Sequence, residues 1–161
     1  MTRHTLVLAD DHELVARGLA TLLAPHHDIA AVVHSGGELL GCLGRLRVDC
    51  VLLDVSMPLQ SGLDVLPELR RRWPELKILM LTMHADSVLA EAALGLGAAG
   101  YVPKDAALPA HRATGEDPAA AGRGALVRGG GAERLAPAWA CPAQTCASCR
   151  WATLLLEPPK V

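Results

Sequence analysis

No stretch of the 161-residue sequence approaches the ~20 consecutive apolar residues needed to cross a bilayer. The N-terminus carries one early basic residue, Arg3, and lacks a long apolar segment followed by a cleavage site. Both absences argue against membrane insertion and secretion, and a cytoplasmic location is expected. A large excess of one charge is missing too. The net charge is -2, so the total gives no electrostatic footprint for nucleic acid. An even cysteine set is also lacking, because the cysteines number five. Cys42 and Cys50 stand among apolar residues and read as buried thiols. Cys141, Cys146 and Cys149 have the C-x4-C-x2-C spacing of plant-type ferredoxins, but no fourth cysteine follows, and they read as adventitious thiols. His12, His26, His27, His34 and His84 show no metal-ligand spacing and read as surface residues.

Apolar residues make up 51% of the chain, ample for a core. Over the first two-thirds they alternate between two periods. Short continuous runs predict buried strands at residues 5–9, 29–34, 50–54, 77–81 and 99–102. Helical spacing predicts helices over 13–24, 37–46, 62–73 and 86–96. The first should turn Leu14, Val15, Leu19, Leu22 and Leu23 inward, and the second Leu39, Leu40, Leu43 and Leu46. Ser35 is placed to cap the second helix, with Glu38 beside it, and Gly97 to end the fourth. Strands alternating with helices imply a parallel sheet covered on both faces. With right-handed crossovers, the expected fold is α/β, a doubly wound five-stranded parallel sheet.

The chemistry-bearing residues sit at the ends of the predicted strands. The run Leu6-Val7-Leu8-Ala9 ends in Asp10-Asp11, and Val51-Leu52-Leu53 ends in Asp54. Open parallel sheets bind ligands beyond the carboxyl ends of their strands. Three carboxylates gathered there repel one another unless a cation lies between them, which predicts a hard divalent metal with oxygen ligands. Thr82 ends the fourth strand run, and Lys104 follows the fifth. Carboxylates, a metal, a hydroxyl and a lysine suit phosphoryl transfer, which depends on positioning and charge stabilisation.

Five segments, in order, resemble the receiver domain of bacterial two-component response regulators, in the NarL/LuxR branch. They are Ala9-Asp10-Asp11-His12-Glu13-Leu14-Val15, Asp54-Val55-Ser56-Met57-Pro58, Gly62-Leu63-Asp64-Val65, Leu81-Thr82-Met83-His84 and Gly97-Ala98-Ala99-Gly100-Tyr101-Val102-Pro103-Lys104. The resemblance covers residues 4 to about 108 and implies the flavodoxin/CheY-like form of that sheet. It implies that Asp54 is the phosphoacceptor, fed by a sensor histidine kinase. It implies Mg2+ held by Asp10, Asp11, Asp54 and the Ser56 backbone carbonyl. Lys104 would pair with a phosphoryl oxygen, Thr82 would donate to the acyl phosphate, and Tyr101 would follow it inward. Ser56 and His84 match the positions that tune loss of the phosphoryl group. Such a domain is not a turnover enzyme, beyond catalysing its own phosphorylation and dephosphorylation. Phosphatases of the haloacid dehalogenase type also use a nucleophilic Asp and Mg2+, but they expect a second Asp where Ser56 stands. The family implies output to transcription and a homodimer through the helix 4/strand 5 face. The alternatives are a stand-alone receiver signalling by protein contact, and an inactive truncated product.

The pattern ends near residue 108, which sets the expected domains at 1–108 and 109–161. Residues 106–161 hold 15 Ala, 6 Gly and 6 Pro, and helical periodicity stops. Neither the fifth helix of the receiver nor a helix-turn-helix is readable there, so DNA binding is carried over to no residue. The composition reads as an irregular tail, disordered or the out-of-frame product of GC-rich DNA.

Overall fold

β-branched and aliphatic runs pair laterally when each can be buried on both faces, and four of them do so in the first part of the chain. The structure is a computed structural model and describes residues 3–83 and 86–104, with the backbone of 126–128 and 135–137. It divides into two units, Met1–Leu81 and Thr82–Val161.

The first unit runs β1 (Thr5–Ala9), α1 (Glu13–Leu23), β2 (Asp28–Val33), α2 (Gly36–Leu43), β3 (Cys50–Asp54) and α3 (Gly62–Arg72), then enters β4 (Lys77–Thr82). Its strands are all parallel, in the order β2-β1-β3-β4. Leu8 lies beside Leu52, and Leu52 beside Leu79, all buried. Each such leucine contributes roughly 1.5–3 kcal/mol by leaving water. α1 and α2 link β1, β2 and β3, yet β1 lies between β2 and β3. The strand order therefore reverses at β1 and β3, and a crevice opens beyond their carboxyl ends. Asp10 and Asp54 stand at that edge.

The helix boundaries follow from local hydrogen bonding. Ser35 Oγ accepts from the Glu38 amide, and Glu38 Oε2 accepts from the His34 amide, as the cap reading anticipated. Ser61 and Asp64 form a reciprocal capping box at the start of α3. Ser61→Ala is expected to lower stability by about 1 kcal/mol, read as a shift in the urea midpoint with an unchanged slope.

The second unit holds α4 (Ser87–Gly95), β5 (Gly100–Pro103), β6 (Leu126–Arg128) and β7 (Leu135–Pro137). Asp86 Oδ1 caps α4 by accepting from the Val88 and Leu89 amides. Gly97 follows the helix with φ of 102°, the left-handed conformation that favours glycine at a helix end. β5 and β6 pair antiparallel, with Tyr101 opposite Leu126, and β6 pairs antiparallel with β7. The sequence suggested neither β6 nor β7. The expected absence of a fifth helix, the irregular tail and its three cysteines fall mainly on residues outside those described.

Some side chains depart from expectation. Leu14 is exposed on α1, and Ala16 is buried in its place beside Leu19 and Leu23. The helix starts at Glu13, so Leu14 sits in its first turn. α2 ends at Leu43, which leaves Leu46 outside it and exposed. His27 is buried rather than at the surface, stacked on His4 with ring centroids 5.9 Å apart. Cys42 is half-buried, whereas Cys50 is buried and its thiol is pushed well up by desolvation, which keeps it inert.

Candidate functional site

β1 and β3 end side by side, with Ala9 paired to Leu53. The next residue of β1, Asp10, and the last of β3, Asp54, therefore arrive together. Each is 1% exposed, so two carboxylates are withdrawn from water at the same edge. Asp11 follows at the surface of the crevice. Ligand atoms of Asp10, Asp11, His12 and Asp54 all lie within 4.8 Å of one another. Backbone amides hold the two buried carboxylates: His12 N donates to Asp10 Oδ1 at 2.9 Å, and Ser56 N donates to Asp54 Oδ1 at 3.2 Å.

The residues present fit a divalent cation. Burial of like charges at this spacing is costly unless a positive charge is shared among them. The three carboxylates are hard oxygen donors of the kind that Mg2+ takes. The structure thus brings together the three predicted acidic residues and places Ser56 on the loop immediately after Asp54. That loop is strained: Leu59 has φ of 68° and is fully exposed, a left-handed conformation costly for a side chain of this kind.

His12 lies at the surface, as the sequence reading had it, yet beside the acidic pair. Its side chain is 60% exposed, but Nδ1 lies 2.9 Å from Asp11 Oδ1 and 3.5 Å from Asp10 Oδ1. The signal was its place next to the acidic pair; motif spacing along the chain does not reveal it.

In the second unit, the predicted switch residues are all buried: Thr82 ends β4, Tyr101 lies within β5 and Lys104 follows it. Burial pushes the Tyr101 phenol up, and the Asp86 carboxylate adds to this, while the Thr82 hydroxyl works against them. His84 lies outside the described residues.

Comparison with known proteins agrees with this arrangement. Residues 6–113 match the response regulator receiver domain family. The transcriptional regulatory protein LnrK of Bacillus subtilis is 36% identical over 102 residues, 62% of this chain and 46% of LnrK. The DNA-binding transcriptional activator DevR/DosR of Mycobacterium tuberculosis is 39% identical over 101 residues, 61% of this chain and 46% of its own. The chain thus spans about half the length of the curated relatives it matches. A crystal structure of a LuxR-family two-component response regulator from Aurantimonas sp. SI85-9A1 superposes with a TM-score of 0.61 at 30% identity, covering 64% of this chain and 75% of that one. The fold class read from the sequence is the fold class of these receivers. No helix among the described residues is long and apolar enough to cross a membrane. With an acidic trio at the switch point of a parallel sheet and a family match over residues 6–113, the chain belongs to the response regulator receiver domain family, in its NarL/LuxR branch.

Proposed function

We propose that the chain is the receiver of a two-component phosphorelay in which Asp54 accepts a phosphoryl group from a phosphohistidine of a sensor histidine kinase. The observation that carries this reading is the convergence of Asp10, Asp11 and Asp54, two of them buried, at the switch point of the sheet. One Asp54 carboxylate oxygen attacks phosphorus. The P–O bond forms as the P–N bond to the kinase imidazole breaks, and the departing ring nitrogen takes a proton from water. The Ser56 amide fixes the other side of the carboxylate during attack. Asp10, Asp11 and Asp54, with the Ser56 backbone carbonyl, would hold Mg2+, which when bound neutralises charge on the transferring group.

The Lys104 ammonium pairs with a phosphoryl oxygen, and the Thr82 hydroxyl donates to the acyl phosphate. Tyr101, packed near Thr82, follows that movement and alters the surface around α4 and β5. The switch is a population shift between two packings, biased by contacts that only the phosphorylated form makes. Ser56 and His84 tune how long the phosphoryl group persists. Beyond this self-catalysis the chain turns over no substrate. A homodimer through the α4/β5 face, where Val88 is 72% exposed, is the proposed output. Transcription is the proposed target, since the relatives named above are transcriptional regulators. DNA contact is assigned to no residue of 109–161, and signalling by protein contact alone is the alternative.

Incubation with acetyl phosphate and Mg2+ tests the reading. One phosphoryl group should be added per chain by intact-mass measurement, and none in Asp54→Ala or after chelation of the metal. Equal uptake by Asp54→Ala would refute it.

A further inference from the structure

We propose that His12 is an additional protein ligand of the bound cation, and that its imidazole moves the site's preference from Mg2+ toward imidazole-binding divalent ions such as Ni2+ and Co2+. The inference rests on the reading that a divalent cation occupies the acidic trio. It differs in adding a nitrogen donor to a site otherwise built from oxygen.

Three observations carry it. A ring nitrogen of His12 belongs to the group of ligand atoms lying within 4.8 Å of one another, together with Asp10, Asp11 and Asp54. Its separations from Asp11 Oδ1 and Asp10 Oδ1 are 2.9 and 3.5 Å. Adjacent ligands of a six-coordinate ion with bonds of ~2.1 Å stand roughly 3 Å apart, so these spacings suit neighbours around one ion. The second observation is what the side chain does not do. His12 occupies the N-cap position of α1, yet its side chain makes no capping hydrogen bond. The ring is turned to the carboxylates, although it is exposed enough to point into water. The third is its anchorage. The His12 amide donates to Asp10 Oδ1, so the residue is tied by its backbone to a carboxylate of the same site.

Donor type then decides the preference. Carboxylate and carbonyl oxygens suit Mg2+, whereas imidazole suits the later transition metals, whose affinity for mixed nitrogen and oxygen sites rises along the first row. Mg2+ gains little from a ring nitrogen. The rival account is that the imidazole serves only as a counter-charge to the carboxylates and leaves when any cation arrives.

Calorimetric titration of the full chain with Mg2+ and with Ni2+ separates the two. The Asp10→Asn variant identifies which part of the Ni2+ binding belongs to this site, because histidines and tail cysteines also take Ni2+. In His12→Ala, the ratio of Ni2+ to Mg2+ affinity at the site should fall at least tenfold. Long-range proton–nitrogen spectra of the histidine rings should show the His12 Nδ1 resonance perturbed by a diamagnetic transition ion, Zn2+, and much less by Mg2+. An unchanged ratio in His12→Ala, or a His12 ring unmoved by Zn2+, overturns the proposal. If acetyl phosphate still labels the wild type with Mg2+ in that case, only the His12 assignment falls. If Asp10→Asn leaves binding of every divalent ion unaltered, the cation site itself falls, and the proposal with it.

Discussion

Asp54→Asn is expected to raise the stability of the metal-free protein by about 1–2 kcal/mol while removing phosphoryl uptake altogether. The substitution is nearly isosteric, and an asparagine Oδ1 still accepts from the Ser56 amide that bonds Asp54 Oδ1 at 3.2 Å. What it removes is a charge. Two unit charges ~4 Å apart interact by roughly 4 kcal/mol at an effective dielectric of 20. The backbone amides that donate to Asp10 Oδ1 and Asp54 Oδ1 offset part of the repulsion within the trio, which leaves the smaller figure. For a domain near 100 residues, each kcal/mol moves Tm by about 4–8 °C. With Mg2+ added, the sign reverses: the wild type gains stability by binding the ion, and the variant, short of one carboxylate, gains little. Scanning calorimetry with and without Mg2+ checks both halves. A variant less stable than wild type in chelator would mean that the buried carboxylates do not repel one another appreciably.

The second large effect is expected at Gly62. A Cβ added there would stand 2.2 Å from the Asp54 carbonyl oxygen, 3.0 Å from its carbonyl carbon and 3.0 Å from Met80 Cε. The methionine end can move aside, but the backbone of β3 cannot. Gly62 also donates its amide to Val55 O at 2.9 Å, so the start of α3 is clamped against the end of β3. Gly62→Ala must therefore push the helix off the strand or bend the strand. Overpacking of a tight core typically costs ~1–3 kcal/mol, and backbone against backbone belongs at the upper end. Because the displaced atoms belong to Asp54 itself, the rate of phosphorylation should fall about tenfold or more along with stability. Urea unfolding and the rate of mass gain with acetyl phosphate measure the two. A variant within ~0.5 kcal/mol of wild type and equally reactive would show that the helix yields freely.

These expectations rest on features that differ in how plainly the sequence displays them. Strand ends were plain. A buried parallel strand needs an unbroken apolar run, so Asp10 and Asp54 could be read as the first polar residues beyond two such runs, and both lie there. The caps at Ser35 and Gly97 were plain for the same reason, being local hydrogen bonding and local backbone conformation. The side-chain partners of exposed residues were not. His12 looked like one of several scattered histidines, because its meaning depends on where β1 stops relative to β3, a long-range pairing. His27 looked like a surface residue beside Pro25 and His26, and its burial depends on the turn between α1 and β2 folding back over His4. Leu14 fitted the helical period but fell in the exposed first turn of α1. Gly62 stood in a recognisable motif, yet the reason for a glycine is a close backbone approach that no periodicity encodes. β6 and β7 are three residues each, too short for any pattern to stand out in an Ala- and Gly-rich stretch.

The central claim concerns one side chain, and chemical trapping of the modified residue addresses it most directly. Acetyl phosphate-treated protein is reduced with borohydride, which converts an aspartyl phosphate to homoserine, and the product is then mapped by peptide mass spectrometry. The account predicts homoserine at position 54 alone, dependent on a divalent cation and absent from Asp54→Asn. Homoserine at Asp10 or Asp11, or a stable phosphoryl group on a histidine or serine with Asp54 unchanged, would contradict it.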